Sequence, residues 1–215
     1  MKEALELAKK FKEEGKYDLF RGQARDWEVV SSASRISDDL RNQHEQRIRN
    51  FYSFCASNEL LKAYINPDKY DEFIAITQHY SGYYREYNNQ LDSQFCDLQT
   101  NFIDFTSSPE IAMFFATHNE SCEVGQDSVI VCLNKNEFEN ETSNGFIHYL
   151  CSKQSLPIPR IIEVDLTNLW RLEAQKGCFM ELQLIGFDRK LYGFDRIYFP
   201  YSEPFDGIQK KRYLS

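Results

Sequence analysis

NFIDFTSSPEIAMFFATH, residues 101–118, carries the plainest structural instruction in the chain. Asn101–Phe105 is short, aromatic and β-branched, which predicts a strand. Thr106-Ser107-Ser108-Pro109 then places hydroxyls where a helix begins, with Pro in the first turn, where its missing N–H costs nothing. Glu110–His118 continues as a short apolar helix. A strand that passes through a cap directly into a helix is a unit of mixed architecture, and the flanking segments extend it on both sides.

Toward the N-terminus, Ala4, Leu7, Ala8 and Phe11 recur at helical spacing among Lys and Glu, and Gly15 supplies a stop. Tyr17–Arg21 and Trp27–Val30 are rich in aromatic and β-branched residues, predicting two short strands about a turn, with Arg21 at a strand end. Ser37 is a good N-cap for a helical pattern running through Leu40, His44, Ile48, Phe51, Cys55 and Leu61 to about Ile65, before Asn66-Pro67 breaks it. A further helix is predicted from Asp68 to about Tyr80, with Phe73, Ile74 and Thr77 inward. Ser81–Gln99, crowded with Ser, Tyr, Asn and Gln, predicts an exposed insertion loop. Toward the C-terminus, Ser128–Leu133, Arg160–Asp165 and Phe179–Ile185 predict strands, while Asn134–Pro159 reads as polar and irregular. Helices gather in the first half and strands in the second, so the expected class is α+β.

The 215 residues suit one elaborated domain over 1–215 better than two small ones. A chain 42% hydrophobic and 15% aromatic is not disordered or low-complexity. Its formal charge of −8 excludes holding a phosphate backbone by bulk electrostatics, so any nucleic-acid contact needs a local patch. Six cysteines without a C-x-x-C pair argue against a zinc ribbon, and His118 and His148 are isolated, so no metal is predicted. Met1–Lys9 does not resemble a secretion signal. The thiols are therefore expected to be reduced and mostly in the core, and the compartment cytoplasmic. No apolar run approaches the roughly twenty residues that cross a bilayer, so no membrane partner is expected.

Several side chains could carry chemistry. Arg21, before the small Gly22, suits a phosphate or carboxylate ligand, or simply an ion pair with Asp26. Thr106, Ser107 and Ser108 could cap a helix or turn donors toward an anionic ligand. His79, in Gln78-His79-Tyr80, could be a general base or a structural histidine, which leaves room for a Cys–His hydrolase, although no cysteine has a context that depresses its pKa. Glu173 and Gln175 share one face if extended, and could address a sugar hydroxyl or mark an exposed strand edge. Arg35, Arg41, Arg47 and Arg49 give the helical region a local basic character.

Taken in order, Phe20-Arg21-Gly22-Gln23, Trp27 through Ser34-Arg35, Gln78-His79-Tyr80, Asp104-Phe105-Thr106-Ser107-Ser108-Pro109 with Ala112 and Phe115-Ala116, and Arg171–Phe179 resemble the FRG domain family, named for its Phe-Arg-Gly motif. The resemblance spans about residues 18–180. Two departures stand out: Ser81–Gln99 intervenes where the family runs on closely, and Asn101 occupies the place of a family Arg.

The motif order is similar to that of ADP-ribosyltransferase folds, which implies a helical N-terminal half packed on a mixed or antiparallel sheet. It also implies NAD as co-substrate. In that pattern Arg21 grips the NAD phosphates or ribose, with Gly22, Gln23, Arg35, His79, Tyr80, Thr106 and Ser108 around the cofactor. Ser107 shapes the nicotinamide-ribose pocket, and Glu173 or Gln175 holds a ribose hydroxyl, with Glu181 a further candidate acid. The expected activity is transfer of ADP-ribose to a macromolecular acceptor, protein or nucleic acid, by a bacterial toxin or anti-phage effector, for which a neutralising antitoxin protein is the expected partner. The alternative is a non-catalytic module of the same fold that binds a nucleotide, nucleic acid or protein.

Overall fold

The computed structural model describes residues 1–59, 70–75, 77–78, 99–164, 174–181 and 194–207. Along the chain run α1 (Lys2–Glu13), β1 (Leu19–Gln23), a 3-10 turn (Ala33–Arg35) and α2 (Asp38–Ser57). Next come α3 (residues 70–75 and 77–78), β2 (Phe102–Thr106), α4 (Pro109–Thr117) and β3 (Asp127–Leu133). The last elements are α5 (Lys135–Ser143), α6 (Phe146–Gln154), β4 (Arg160–Ile162), β5 (Gly177–Glu181) and β6 (Asp195–Pro200). The strands form one six-stranded sheet ordered β4-β5-β2-β1-β3-β6, antiparallel at each pairing. The class is α+β.

Side-chain alternation along β1 divides the core in two. Leu19 faces one layer, where Ile103, Phe105, Val129, Val131 and Leu133 pack against Phe138 of α5 and Ile147 and Cys151 of α6. Phe20 faces the other, where Ile130, Cys132, Ile197 and Phe199 meet α1 and α4. Gly22 lies on this second face. A Cβ there would overlap the Ala112 carbonyl oxygen and come within 2.5 Å of Ala116 N, so α4 rests directly on the β1 backbone.

Several expectations hold closely. The strand–cap–helix unit is present with its bounds one residue from those expected: Phe102–Thr106 is the strand, Pro109–Thr117 the helix, and the Ser108 hydroxyl caps α4 by accepting from Ile111 N at 3.4 Å. Ser37 caps α2, Gly15 takes φ +68°, and Phe73 and Thr77 are buried. Other expectations need correction. In α1 the inward residues are Ala4, Leu5 and Ala8, whereas Leu7 is exposed. Trp27–Val30 is not a strand, because β1 pairs with β2 and β3 rather than with its own neighbours in sequence.

Residues 134–159, read as irregular, contain α5 and α6. Their apolar groups are sparse but correctly spaced, with Phe138 and Thr142, then Ile147 and Cys151, buried at i, i+4. Asn134 caps α5 by accepting from Glu137 N at 3.0 Å. The strand β6 falls in a stretch for which the sequence offered no expectation. The insertion expected at 81–99 lies, apart from Gln99, outside the described residues, as do Leu61–Ile65 at the far end of the predicted long helix. Among the described residues, no helix is long and apolar enough to cross a membrane.

Candidate functional site

The described parts of the three sequence elements that suggest a ligand site, Arg21, Thr106–Ser108 and Gln175, fall on or beside adjacent strands, since β5, β2 and β1 are consecutive in the sheet. β1 and β2 share a single paired position, Phe20 opposite Thr106, whereas β1 and β3 pair over five. Arg21 spans the sparsely paired side, donating from Nη1 to the Asp104 carbonyl at 2.8 Å. Its Nε is buried without a partner. Burial pulls the Arg21 pKa down; Asp104 opposes that effect and nearby Arg35 adds to it. Asp26, the ordinary ion-pair candidate for Arg21, instead lies 3.0 Å from Arg196 and accepts from the Tyr198 hydroxyl at 3.1 Å.

Sequence reasoning missed the groups that hold this region together. Gln78 Nε2 donates to both Asp104 carboxylate oxygens at 3.2 Å, and its Oε1 accepts from the Thr100 hydroxyl. The end of α3 is thereby tied to β2 beside Arg21. The available signal was position: Gln78 directly precedes the His79-Tyr80 pair, and Asp104 opens the Asp-Phe-Thr motif.

The turn after β2 is stitched to the approach to β5. The buried Thr106 hydroxyl donates to the Gln175 carbonyl at 2.6 Å and accepts from Ser108 N at 3.1 Å. Ser107 N donates to the Lys176 carbonyl at 3.1 Å, and the Ser107 carbonyl accepts from Lys12 Nζ of α1 at 2.7 Å. Ser108 also donates to Glu110 at 2.8 Å. Burial works against ionisation of Glu110, but Ser108, the local backbone and Lys9 outweigh it and hold the carboxyl below its ordinary range. Gln175 is not on an exposed extended edge, as one sequence reading had it. It lies in a helical turn with a buried side chain, and Lys176 after it adopts φ +46° before β5 begins between β4 and β2.

Arg21, Thr106, Ser107, Ser108 and Gln175 thus lie on or beside three neighbouring strands, but Thr106, opposite Phe20, projects to the face that packs on α1 and α4, whereas Arg21 projects to the other face. Gly22 faces α4, on the opposite side of β1 from Arg21. Gln23 is buried with an unpartnered Oε1. Glu173, His79 and Tyr80 lie outside the described residues. Glu181 stands at the other end of β5, opposite Phe102, and accepts from Arg160 Nε at 2.6 Å, while Arg160 also holds Asp71 at 3.0 Å. The four residue steps from the Gly177–Thr106 rung to the Glu181–Phe102 rung put this acid about 13 Å along the strand from the turn. A cavity of about 140 Å³ lies at that remote end, with Ile48, Tyr70, Ile74, Asn101, Phe102 and Glu181 among its lining. Arg21, Ser107 and Gln175 do not line it.

Four of the five described thiols, Cys55, Cys132, Cys151 and Cys178, are core groups, and Cys122 is half-buried. Burial pushes Cys132 and Cys178 up to about 12, and raises Cys55 and Cys151, the reverse of what a nucleophilic thiol requires. Above pH 9 an unfolded chain releases these protons while the folded one retains them, so stability should fall as pH rises from about 9 toward 12. Urea midpoints at pH 8 and pH 10 measure this. Equal midpoints in wild type, or a Cys132→Ala/Cys178→Ala variant with the same pH slope, would contradict the assignment.

No family model matches the chain, and neither does any curated protein or solved structure.

Proposed function

We propose that the chain binds NAD across β5, β2 and β1 and transfers ADP-ribose to a macromolecule, in the manner of ADP-ribosyltransferase-like FRG proteins. One observation carries the reading: the Arg, Ser/Thr and Gln elements lie on or beside three neighbouring strands, and Arg21 makes no salt bridge to a carboxylate among the described residues. A guanidinium fixed at one edge by a carbonyl keeps donors for a phosphate. The turn at Thr106–Ser108, pinned from Lys176, Gln175 and Lys12, offers a rigid floor for the ribose. Departure of nicotinamide builds positive charge on the ribose, which a carboxylate stabilises more than an amide can. Glu173 is the acid this reading assigns to that role. A toxin or anti-phage effector of this kind would act on a protein or nucleic acid and be held in check by a neutralising antitoxin protein.

A second reading, a binding module of the same fold without chemistry, draws on the burial of Gln175 and the engagement of Glu181 by Arg160. Labelled NAD incubated with the protein and a lysate divided into protein and nucleic-acid fractions separates the two. Wild type should transfer label, and Arg21→Ala and Glu173→Ala should each lower transfer by on the order of 100-fold. Saturable NAD binding without transfer would favour the module, and absence of both would remove NAD from the account.

A further inference from the structure

Strand register sets three polar side chains on an otherwise apolar face. Arg21, Val131 and Arg196 form one rung across β1, β3 and β6, and Gln23, Val129 and Tyr198 form the rung two residues on, so all project to the face that carries Leu19. Among the described residues, buried side-chain atoms without a hydrogen-bond partner gather here: Arg21 Nε, Gln23 Oε1 and Arg196 Nη2. Buried polar groups are normally satisfied, so such a cluster raises the free energy of the arrangement that encloses it.

The segment leaving β1 lies over this face. Its near end is fixed: the Ser128 hydroxyl donates to the Ala24 carbonyl at 3.3 Å, and Arg25 Nε donates to the Ser121 carbonyl at 3.2 Å. Its far end is fixed too, by the Ser31 and Ser34 hydroxyls 2.7 Å apart and by Ala33 N, which donates to the Thr100 carbonyl at 3.1 Å. Between these anchors, residues 26–30 have no regular structure. Their backbone bond is local, from Trp27 N to the Arg25 carbonyl at 2.8 Å, and among the described residues none ties them to a strand. Side chains hold them down instead. Asp26 lies 3.0 Å from Arg196 Nε and accepts from the Tyr198 hydroxyl at 3.1 Å, while Val29 is buried in the cluster of Leu19, Val129 and Val131.

We propose that residues 26–30 form a strap that lifts off this face while the sheet stays closed, with Asp26 on Arg196 and Tyr198 as its latch. Lifting gives water or a ligand the free donors of Arg21 and Arg196 and the acceptor of Gln23, which offsets part of the cost of freeing Asp26 and Val29. The motion is independent of what enters; that the strap gates the ligand of Arg21 rests on the placement proposed above.

Alkylation of the full chain with iodoacetamide, followed peptide by peptide by mass spectrometry, tests the strap. Gln23→Cys puts a thiol beneath it and Val29→Cys puts one on it, while Cys132, on the other face of β3, reports opening of the sheet itself. Both new thiols should react at least about tenfold faster than Cys132, and adding Asp26→Asn should speed both at least about tenfold further with Cys132 unchanged. New thiols no faster than Cys132, or rates indifferent to Asp26→Asn, would overturn the strap. A urea midpoint for each variant shows that it folds, and either position suffices if the other does not. Repeating the labelling with NAD separates the two readings. Rates that respond to Asp26→Asn but not to NAD uphold the strap and reject NAD as what it gates, whereas NAD-dependent rates indifferent to Asp26→Asn reject the strap and keep NAD.

Discussion

Replacing Gly22 with alanine should cost the protein about 3 kcal/mol or more, seen as a thermal midpoint lower by about 6–12 °C or as loss of any cooperative transition. The added Cβ would meet backbone on both sides, the Ala112 carbonyl oxygen and Ala116 N, and neither can swing aside as a side-chain tip can. α4 would have to lift off β1, opening the layer where Phe20, Met113 and Ile130 are fully buried. Gly15→Ala is the matched control. Nothing lies within 4 Å of a Cβ at Gly15, so only its φ of +68° is penalised, at about 1 kcal/mol. Similar midpoints for the two variants would mean that α4 does not sit as close as described. Loss of activity in a Gly22 variant therefore reports a displaced helix rather than a missing ligand contact.

Thr106→Val should be the next most damaging change, at about 2–4 kcal/mol, because the shape is kept while one hydroxyl with two partners is lost. Valine cannot donate to the Gln175 carbonyl or accept from Ser108 N, and both groups sit where water enters poorly. Thr106→Ser keeps the hydroxyl and should recover most of the loss. Urea unfolding gives the magnitude, and amide exchange at Ser108 gives the location. Protection of that amide unchanged in Thr106→Val would show that the turn holds by other means.

What the sequence disclosed follows from which forces are local. The Ser108 cap, the Pro109 first turn and the apolar face of α4 are decided within ten residues, and in the structure only the bounds of the strand and helix differ, by one residue. The N-terminal helix was legible as a helix, but its inward face was not fully so, because Leu5 and Leu7 are equally apolar and only the docking onto Ala112, Met113 and Ala116 selects Leu5. Residues 134–159 look irregular since α5 and α6 each bury just two groups, Phe138 with Thr142 and Ile147 with Cys151, leaving a weak periodic signal. For the site, residue types and their order were readable, while partnership was not. That Asp26 goes to Arg196, leaving Arg21 to a carbonyl, depends on β6 lying beside β3, which no local pattern encodes.

The position of β1 at the heart of the sheet also bears on how the chain reaches this state. Arg21 waits 83 residues for the carbonyl of Asp104, and Tyr17 waits 178 for the carboxylate of Asp195. During synthesis at about 5–20 residues per second, β1 emerges on the order of ten seconds before its first partner strand exists. Few central contacts can form early, so the loop-closure cost comes first and the search is slow. The same early, unpaired strand, with Leu19 and Phe20 bare, is the segment a chaperone would need to shield.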